Sequence, residues 1–219
     1  MGSIKKELLS GVFYTAIAKY SGILISLIIT GVLARLISPD KFGIVAVVTV
    51  ITFFFSIFSD LGIGAAIIQN KELQQKDLNQ LFSFTVWSGC ILTLLFFLCS
   101  WPISFFYKEP SMKTITQLLA INLFFASANI VPNALLYKAK AFKFLAWRSL
   151  GVQVSGGIIA ILAALGGAGL YALIINPILS SILLFIISYQ KYPQTLEMTW
   201  GIPSIRKIFK FSAYQFIFN

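Results

Sequence analysis

Long apolar runs separated by short polar segments dominate the pattern of residues along this chain. Each run has roughly 20 predominantly apolar residues, enough for one α-helix to cross a hydrocarbon core about 30 Å thick. A helix satisfies its own backbone hydrogen bonds, so it is stable in lipid. The pattern therefore predicts an all-α, polytopic membrane protein with six transmembrane helices. The six predicted spans are Val12–Leu36, Phe42–Ile67, Leu81–Phe105, Ile115–Leu136, Leu150–Leu165 and Leu170–Tyr189.

The basic residues are distributed unevenly between the two sides of this predicted bundle. Most of the 17 lysines and arginines fall at the N-terminus, in the second and fourth loops and after the sixth span. They are Lys5, Lys6, Lys71, Lys76, Lys138, Lys140, Lys143, Arg148, Lys191, Arg206, Lys207 and Lys210. The residues on the opposite side are Arg35, Lys41, Lys108 and Lys113. Because cytoplasmic loops carry the excess of Lys and Arg, both ends of the present chain are predicted to be cytoplasmic.

The composition agrees with a membrane protein and argues against several other classes. Hydrophobic residues make up 58% of the chain and charged residues 11%, with a mean hydropathy of +0.88. A net charge of +10 could indicate nucleic-acid binding, but the basic residues lie at helix ends rather than on one soluble face. The chain has no histidine, and Cys90 and Cys99 lie within one apolar run, so no metal site is predicted. A phosphate-binding glycine loop and a nucleophile elbow are also missing, so neither catalysis nor a cofactor is expected.

Three segments are predicted along the chain. Residues 1–189 form a six-helix transmembrane lobe, and residues 190–205, which include Pro193 and Pro203, form a cytoplasmic linker. Residues 206–219 are basic and then apolar, in the same order as the residues that lead into the first span. Repeated halves are common in transporters, so this segment is predicted to begin a seventh helix and a second lobe. The chain is accordingly expected to be a truncated half of a longer transporter.

Polar residues follow one helical face of the first span. Thr15, Lys19, Gly22, Ser26 and Thr30 are spaced by three or four residues, which places them on one side of a helix. Lys19 could offer a positive charge to an anionic substrate in a hydrated central cavity, or its ammonium group could reach the cytoplasmic headgroups. Lys19, Ser26 and Thr30 are therefore candidate residues of a substrate pathway.

A second polar face lies in the fourth span. Asn122, Asn129, Asn133 and Lys140 are separated by seven, four and seven residues. The three asparagines could hydrogen-bond hydroxyl-rich groups of a substrate, or they could bond across neighbouring helices. They are the second set of substrate-pathway candidates.

Prolines inside two spans predict bends in the helices. Pro132 in the fourth span and Asn176-Pro177 in the sixth interrupt backbone hydrogen bonding, so each is a candidate hinge or simply a bend. The fifth span carries small residues at every fourth position from Gly156 to Ala168, which predicts close approach of another helix.

Two runs of residues at the ends of the second span carry a further signal. Residues 33–43 read LARLISPDKFG, and residues 58–69 read FSDLGIGAAIIQ. Similar short runs follow in the same order at 106–110, 134–138 and 167–173. Together they resemble the signature segments of the polysaccharide-transport flippases of the O-antigen and colanic-acid exporter type, including LARLLSPxxFG. The family-motif residues are Arg35, Pro39, Phe42, Gly43, Asp60, Gly62 and Gln69.

The resemblance implies the fold of the multidrug/oligosaccharidyl-lipid/polysaccharide exporter superfamily, which also contains the MATE transporters. In that fold two six-helix lobes surround a cavity that opens alternately to each side. The implied function is transport of undecaprenyl-pyrophosphate-linked oligosaccharide repeat units across the bacterial inner membrane, for lipopolysaccharide or exopolysaccharide synthesis. The implied partners are the lipid-linked substrate, the membrane, a C-terminal lobe, a polysaccharide polymerase and glycosyltransferases. Nucleic acid is not expected among them.

Two alternative functions remain open from the sequence. A MATE-like, cation-coupled antiporter of small molecules needs a carboxylate in its cavity, whereas the charge within the first span is the positive Lys19. Asp60 could be such an ion-coupling carboxylate, or it could be a surface partner for a lysine. A non-transporting membrane scaffold of a polysaccharide assembly complex is the other alternative.

Overall fold

The protein is described by a computed structural model that covers residues 2–60, 62–70 and 72–197. These residues form eight α-helices and one 3-10 turn, and no β-strand occurs among them. The helices are α1 (Gly2–Leu36), α2 (Pro39–Asp60), α3 (Ile63–Gln69), α4 (Gln75–Tyr107), α5 (Pro110–Ala128), α6 (Ile130–Lys138), α7 (Phe142–Leu165) and α8 (Ala172–Lys191), and the 3-10 turn is Gly169–Tyr171. The predicted all-α class is therefore confirmed.

Six spans can be assigned to these helices. α1, α2, α4, α7 and α8, the last together with the 3-10 turn, are each long and apolar enough to cross a membrane. α5 and α6 are long and apolar enough to cross a membrane when they are counted together, and the pair is bent by 40° at the break between them. The chain is a multi-pass membrane protein, and counting the bent pair as one span gives the predicted number of six.

The second predicted span, Phe42–Ile67, is wrong beyond Asp60, because the helix stops there. Gly62 has a left-handed backbone with φ of 77°, a conformation that glycine adopts at little cost and that ends a helix. A separate short helix, α3, begins at Ile63. The Asp60 carboxylate stabilises this new start, because its Oδ1 atom accepts a hydrogen bond from the Gly64 backbone N–H at 3.1 Å.

The fourth predicted span is also interrupted. α5 ends at Ala128 and α6 begins at Ile130, two residues before Pro132. In a continuous helix the N–H of residue 132 would donate to the Ala128 carbonyl oxygen. Proline has no N–H, so this hydrogen bond is lost and the helix breaks here. α8 differs, since it continues through Pro177 from Ala172 to Lys191.

Two further boundaries correct the sequence-based expectations about basic residues. α6 ends at Lys138 and Lys140 has a left-handed φ of 54°, so Lys140 does not extend the asparagine face as a helical residue. α7 begins at Phe142, well before the predicted Leu150, so Arg148 lies inside a helix and not in a loop. Long basic side chains can reach water from the first turns of a spanning helix, so apolar runs alone place its start too late.

The helices pack around α5, which contacts α2, α4 and α8, while α1 packs mainly on α7 and α3 packs on α6. α1 and α7 run in the same direction. Gly11 lies against Phe142 near the start of both helices, and Gly22 lies against Gln153 further along. The predicted close approach at Gly156 is confirmed, because a side chain there would collide with the carboxamide of Asn176 on α8.

One end of the bundle collects the basic loops. We call it the basic end and define it by Lys138, Lys143 and Lys191, which lie at the end of α6, the start of α7 and the end of α8. Lys138 Nζ donates to the Asn70 carbonyl oxygen at 2.7 Å, and Lys191 Nζ lies 6.0 Å from the centre of the Phe144 ring. The contacts confirm that these loops, which the charge pattern assigns to one side, meet at one end.

α8 extends two residues into the predicted linker, to Lys191, and residues 194–197 are held against α4. Gln194 is buried, and its Oε1 accepts a hydrogen bond from Gln75 Nε2 at 2.9 Å. Further along, the Glu197 backbone N–H donates to Ser83 Oγ at 2.7 Å. The rest of the predicted linker and the predicted seventh helix, residues 206–219, lie outside the described residues.

Valine at position 89 is expected to destabilise the lobe. A Cβ added to Gly89 on α4 would lie 2.7 Å from the Cβ of Ser127 on α5, an atom that no side-chain rotation can move. The two helices must therefore separate, at a cost of about 1–3 kcal/mol for overpacking. We expect Gly89→Val to lower the midpoint of thermal unfolding in detergent by about 5 °C.

Gly151→Val is the matched control for this change. Gly151 is exposed on α7, and a Cβ there meets nothing within 4 Å. Valine has a somewhat better helix propensity than glycine, so this variant should unfold at the wild-type temperature or slightly above it. Equal midpoints for the two variants would show that the α4–α5 contact tolerates the added volume.

Candidate functional site

The polar face of α1 lies beside the contact with α7. Gly22 belongs to that contact, since its carbonyl oxygen accepts a hydrogen bond from Gln153 Nε2 at 2.8 Å. Lys19, Ser26 and Thr30 are exposed on the adjacent surface of the helix. The three substrate-pathway candidates of the first span are therefore brought onto one surface of the lobe.

Lys19 lies well inside the first span. It follows Phe13, the first residue of the apolar part of α1, by six residues, or about 9 Å of helix. An ammonium group at this depth is unfavourable against acyl chains unless it reaches water, a headgroup or an anionic partner. Since α1 packs mainly on α7, its exposed polar face is free of helix packing within the described residues.

The asparagine candidates are not equivalent to one another. Asn122 is half-buried on α5, whereas Asn133 lies beyond the bend on α6. Asn133 Oδ1 accepts a hydrogen bond from Arg148 Nη2 at 2.9 Å, so for this residue the structure shows an interhelical bond. Asn129 lies at the break itself, and its buried Oδ1 has no hydrogen-bond partner among the described residues.

Arg148 is a buried cation on α7, although the charge pattern predicted that it lies in the fourth loop. Only 9% of its surface is exposed, and its guanidinium also donates to Ser188 Oγ on α8. A signal for this burial exists in the sequence. Arg148 precedes Gly156 by eight residues, so it extends the four-residue spacing of the small-residue face toward the start of α7.

The family-motif residues mark the two ends of α2. Arg35 and Pro39 are exposed around the turn into α2, and Phe42 packs against the cluster formed by α1, α7 and α8. At the other end, Asp60 and Gly62 form the break before α3. The remaining motif positions are Gly43, which is exposed near the start of α2, and Gln69, which is exposed at the end of α3.

The candidate hinge residues have different surroundings. Next to the break that precedes Pro132, Ser127 Oγ on α5 donates to Ser59 Oγ on α2 at 3.0 Å. This bond joins the break between α5 and α6 to the break that follows α2. Asn176 on α8 accepts a hydrogen bond from Ser180 Oγ at 3.1 Å, within a continuous helix.

The residues that could bind a metal are dispersed. In the part of the chain that the structure describes, no group of three or more His, Cys, Asp or Glu side chains could hold an ion. Cys90 is exposed and Cys99 half-buried, and both are free thiols.

Comparison with known proteins identifies the family. The family model described as "Polysaccharide biosynthesis protein" matches residues 32–219. The chain is 27% identical over 158 residues to the lipopolysaccharide biosynthesis protein WzxC of Escherichia coli (strain K12), covering 72% of this chain and 31% of WzxC. It is 26% identical over 219 residues to the teichuronic acid biosynthesis protein TuaB of Bacillus subtilis (strain 168), covering 98% of this chain and 45% of TuaB.

A third relative is named as a transporter. The succinoglycan biosynthesis transport protein ExoT of Rhizobium meliloti (strain 1021) is 22% identical over 151 residues, covering 69% of this chain and 31% of ExoT. The chain spans less than half the length of each of these relatives. No solved structure matches it. The family match over most of the chain, together with the bundle of spanning helices and the motif residues at both ends of α2, shows that the chain belongs to the polysaccharide biosynthesis protein family, in agreement with its resemblance to polysaccharide-transport flippases.

Proposed function

We propose that this chain forms the N-terminal lobe of an exporter that moves undecaprenyl-pyrophosphate-linked oligosaccharide repeat units across the bacterial inner membrane. The observation that carries the proposal is the exposed polar face of α1, which includes Lys19. The family match and the transport relative support an exporter role. The lipid-linked substrate is what the resemblance to the polysaccharide-transport flippases implies, and the chemistry of this face fits it.

The charge and position of Lys19 favour an anionic substrate that travels through the membrane. A lipid-linked sugar carries two negatively charged phosphates at the junction between its apolar chain and its glycan. An ammonium group inside a hydrated cavity attracts such a group and gains when water is partly excluded. Ser26 and Thr30, about two and three turns further along the same face, add hydroxyl groups that can bond glycan hydroxyls.

The orientation follows from the charges at the two ends of the lobe. The basic end, where Lys138, Lys143 and Lys191 meet, faces the cytoplasm in this proposal because positive loops are retained there. Lys19 then lies nearer the cytoplasmic side, where a substrate made in the cytoplasm enters the cavity. A second lobe completes the cavity, and rocking of the two lobes opens it alternately to each side.

The antiporter alternative has less support from the described residues. Asp60, the acidic candidate for ion coupling, holds the backbone N–H of Gly64 and thereby stabilises the start of α3. The α1 face has a positive charge and no acidic residue, which disfavours a cationic cargo.

Reconstitution of the complete transporter tests the proposal. Proteoliposomes are loaded with an undecaprenyl-pyrophosphate oligosaccharide bearing a radioactive sugar, and a membrane-impermeant glycosidase measures how much glycan reaches the outer leaflet. We expect glycan to become accessible far faster than in protein-free liposomes, with no gradient-driven efflux of the cationic dye ethidium. Ethidium efflux without glycan movement would establish the antiporter, and movement of neither compound would support a scaffold.

A further inference from the structure

A cation lies at the junction of three helices, on the opposite side of α7 from α1. Arg148 projects from α7, and its Nη2 and Nη1 donate to Asn133 Oδ1 on α6 and to Ser188 Oγ on α8. Its Nε–H is buried and has no hydrogen-bond partner among the described residues. Three helices therefore hold one guanidinium in a fixed orientation and leave its Nε–H without a partner among the described residues.

Both hydrogen-bond partners of this guanidinium are neutral. The carboxamide of Asn133 and the hydroxyl of Ser188 orient the group but carry no charge to balance it. The Ser188 hydroxyl itself donates to the Leu184 carbonyl oxygen, so its oxygen is turned toward Arg148 as an acceptor. A buried charge is unfavourable unless an opposite charge lies nearby. A group with planar, preoriented N–H donors matches the oxygens of phosphate especially well.

The depth of Arg148 places it within reach of phosphate groups at the membrane surface. α7 has 24 residues, or about 36 Å, against a hydrocarbon thickness of about 30 Å. Arg148 follows Phe142, the first residue of α7, by six residues, or about 9 Å. It therefore lies only about 6 Å inside the hydrocarbon when α7 is centred in the bilayer.

We propose that Arg148, oriented by Asn133 and Ser188, forms a binding site for a phosphate group at the basic end of the lobe, between α6, α7 and α8. The phosphate belongs to a lipid headgroup or to a soluble phosphate, which present the same oxygens to the guanidinium. The site is separate from the α1 face, because α1 contacts α7 through Gln153 and Gly157 rather than through Arg148. It stands or fails independently of the proposed export of glycans, since its test measures binding.

Binding of phosphate compounds to the delipidated protein tests the site. The purified protein in neutral maltoside detergent is titrated with short-chain phosphatidylglycerol, with inorganic phosphate, or with chloride at matched ionic strength, and thermal unfolding is followed. We expect phosphatidylglycerol, inorganic phosphate or both to raise the unfolding midpoint above the chloride value. A shift with the lipid alone assigns a headgroup, and a shift with inorganic phosphate assigns a site open to soluble phosphate. No shift beyond that of chloride would overturn the proposal.

Substitutions locate the site. Arg148→Gln should weaken the apparent affinity at least tenfold, and Arg148→Lys should retain part of it because the charge remains. Lys143→Gln removes an exposed charge from the same helix and should change the affinity less than twofold. An equal loss in Lys143→Gln would indicate a diffuse basic surface and contradict a built site.

Ser188→Ala keeps the proposal testable if Arg148→Gln does not fold. This change keeps the positive charge but removes one of the two groups that orient it. We expect a folded protein with several-fold weaker phosphate binding. Wild-type affinity in Ser188→Ala would contradict the proposed geometry.

Discussion

Replacing Lys19 with alanine is expected to lower glycan-lipid transport at least tenfold while leaving the lobe folded. Lys19 is exposed on the face of α1 that is free of helix packing within the described residues. Its removal therefore creates no cavity. What is lost is a charge-assisted contact, worth about 1.5–3 kcal/mol, or about tenfold or more in affinity. The glycosidase-accessibility assay in proteoliposomes measures the rate, and thermal unfolding in detergent checks the fold.

Two comparisons separate a cavity residue from a surface charge. Lys19→Arg keeps the charge and should retain most of the transport. Lys143→Ala removes an exposed lysine at the basic end and should leave the rate within about twofold of wild type. Normal transport by Lys19→Ala would remove the main support for the proposed substrate pathway.

Chemical labelling distinguishes a hydrated cavity from a lysine that reaches the headgroups. In a background with Cys90 and Cys99 replaced by alanine, Lys19→Cys should react with a membrane-impermeant thiosulfonate that carries a positive charge. Ile17→Cys is the control, because Ile17 is exposed on a different face of α1. Lipid covers that face in the proposed arrangement, so the control should react slowly. Similar slow labelling of both positions would place Lys19 in lipid.

The hydrophobic pattern was sufficient to predict the number and order of the spans, because the length of an apolar run directly reflects the thickness of the bilayer. It was insufficient for the ends of α4 and α7. α4 begins at Gln75, where the Gln74 backbone N–H donates to Asp77 Oδ2 at 3.1 Å. α7 begins at Phe142. The first turn of α4 is polar, and the first two turns of α7 contain the basic residues Lys143 and Arg148, so hydropathy reports where lipid begins and not where the helix begins.

The candidate site was predictable only in part for a related reason. Helical spacing correctly grouped Lys19, Ser26 and Thr30, because α1 is continuous and the spacing therefore fixes the face. The asparagine grouping assumed a straight fourth span, which the break near Asn129 interrupts. The Arg148 contacts depend on how α6, α7 and α8 pack, and a one-dimensional pattern does not contain that information.

The breaks in two neighbouring spans lie at the same level of the bundle. The hydrogen bond between Ser59 Oγ and Ser127 Oγ connects the last turn of α2 to the last turn of α5. Beyond the breaks, α3 and α6 pack together through the buried residues Ile67, Val131 and Leu135. α3 and α6 therefore form one packed unit at the basic end, and the break before Pro132, the candidate hinge of the fourth span, lies where this unit joins α5.

Pro132→Ala is therefore expected to reduce transport about tenfold without lowering stability. Alanine restores an N–H for the Ala128 carbonyl and favours a straight helix by about 3 kcal/mol relative to proline. Pro132 is buried, so losing two methylene groups costs about 1.6 kcal/mol, which is the smaller term. Unfolding temperature, glycan transport and amide hydrogen exchange in α6 are the measurements, and exchange should slow as the bend is lost.

Pro177→Ala is the control. α8 is continuous at Pro177, so transport by this variant should stay within about twofold of wild type. A variant at Pro132 that loses both stability and transport would indicate a packing role, and one with normal transport would show that the break is not a hinge.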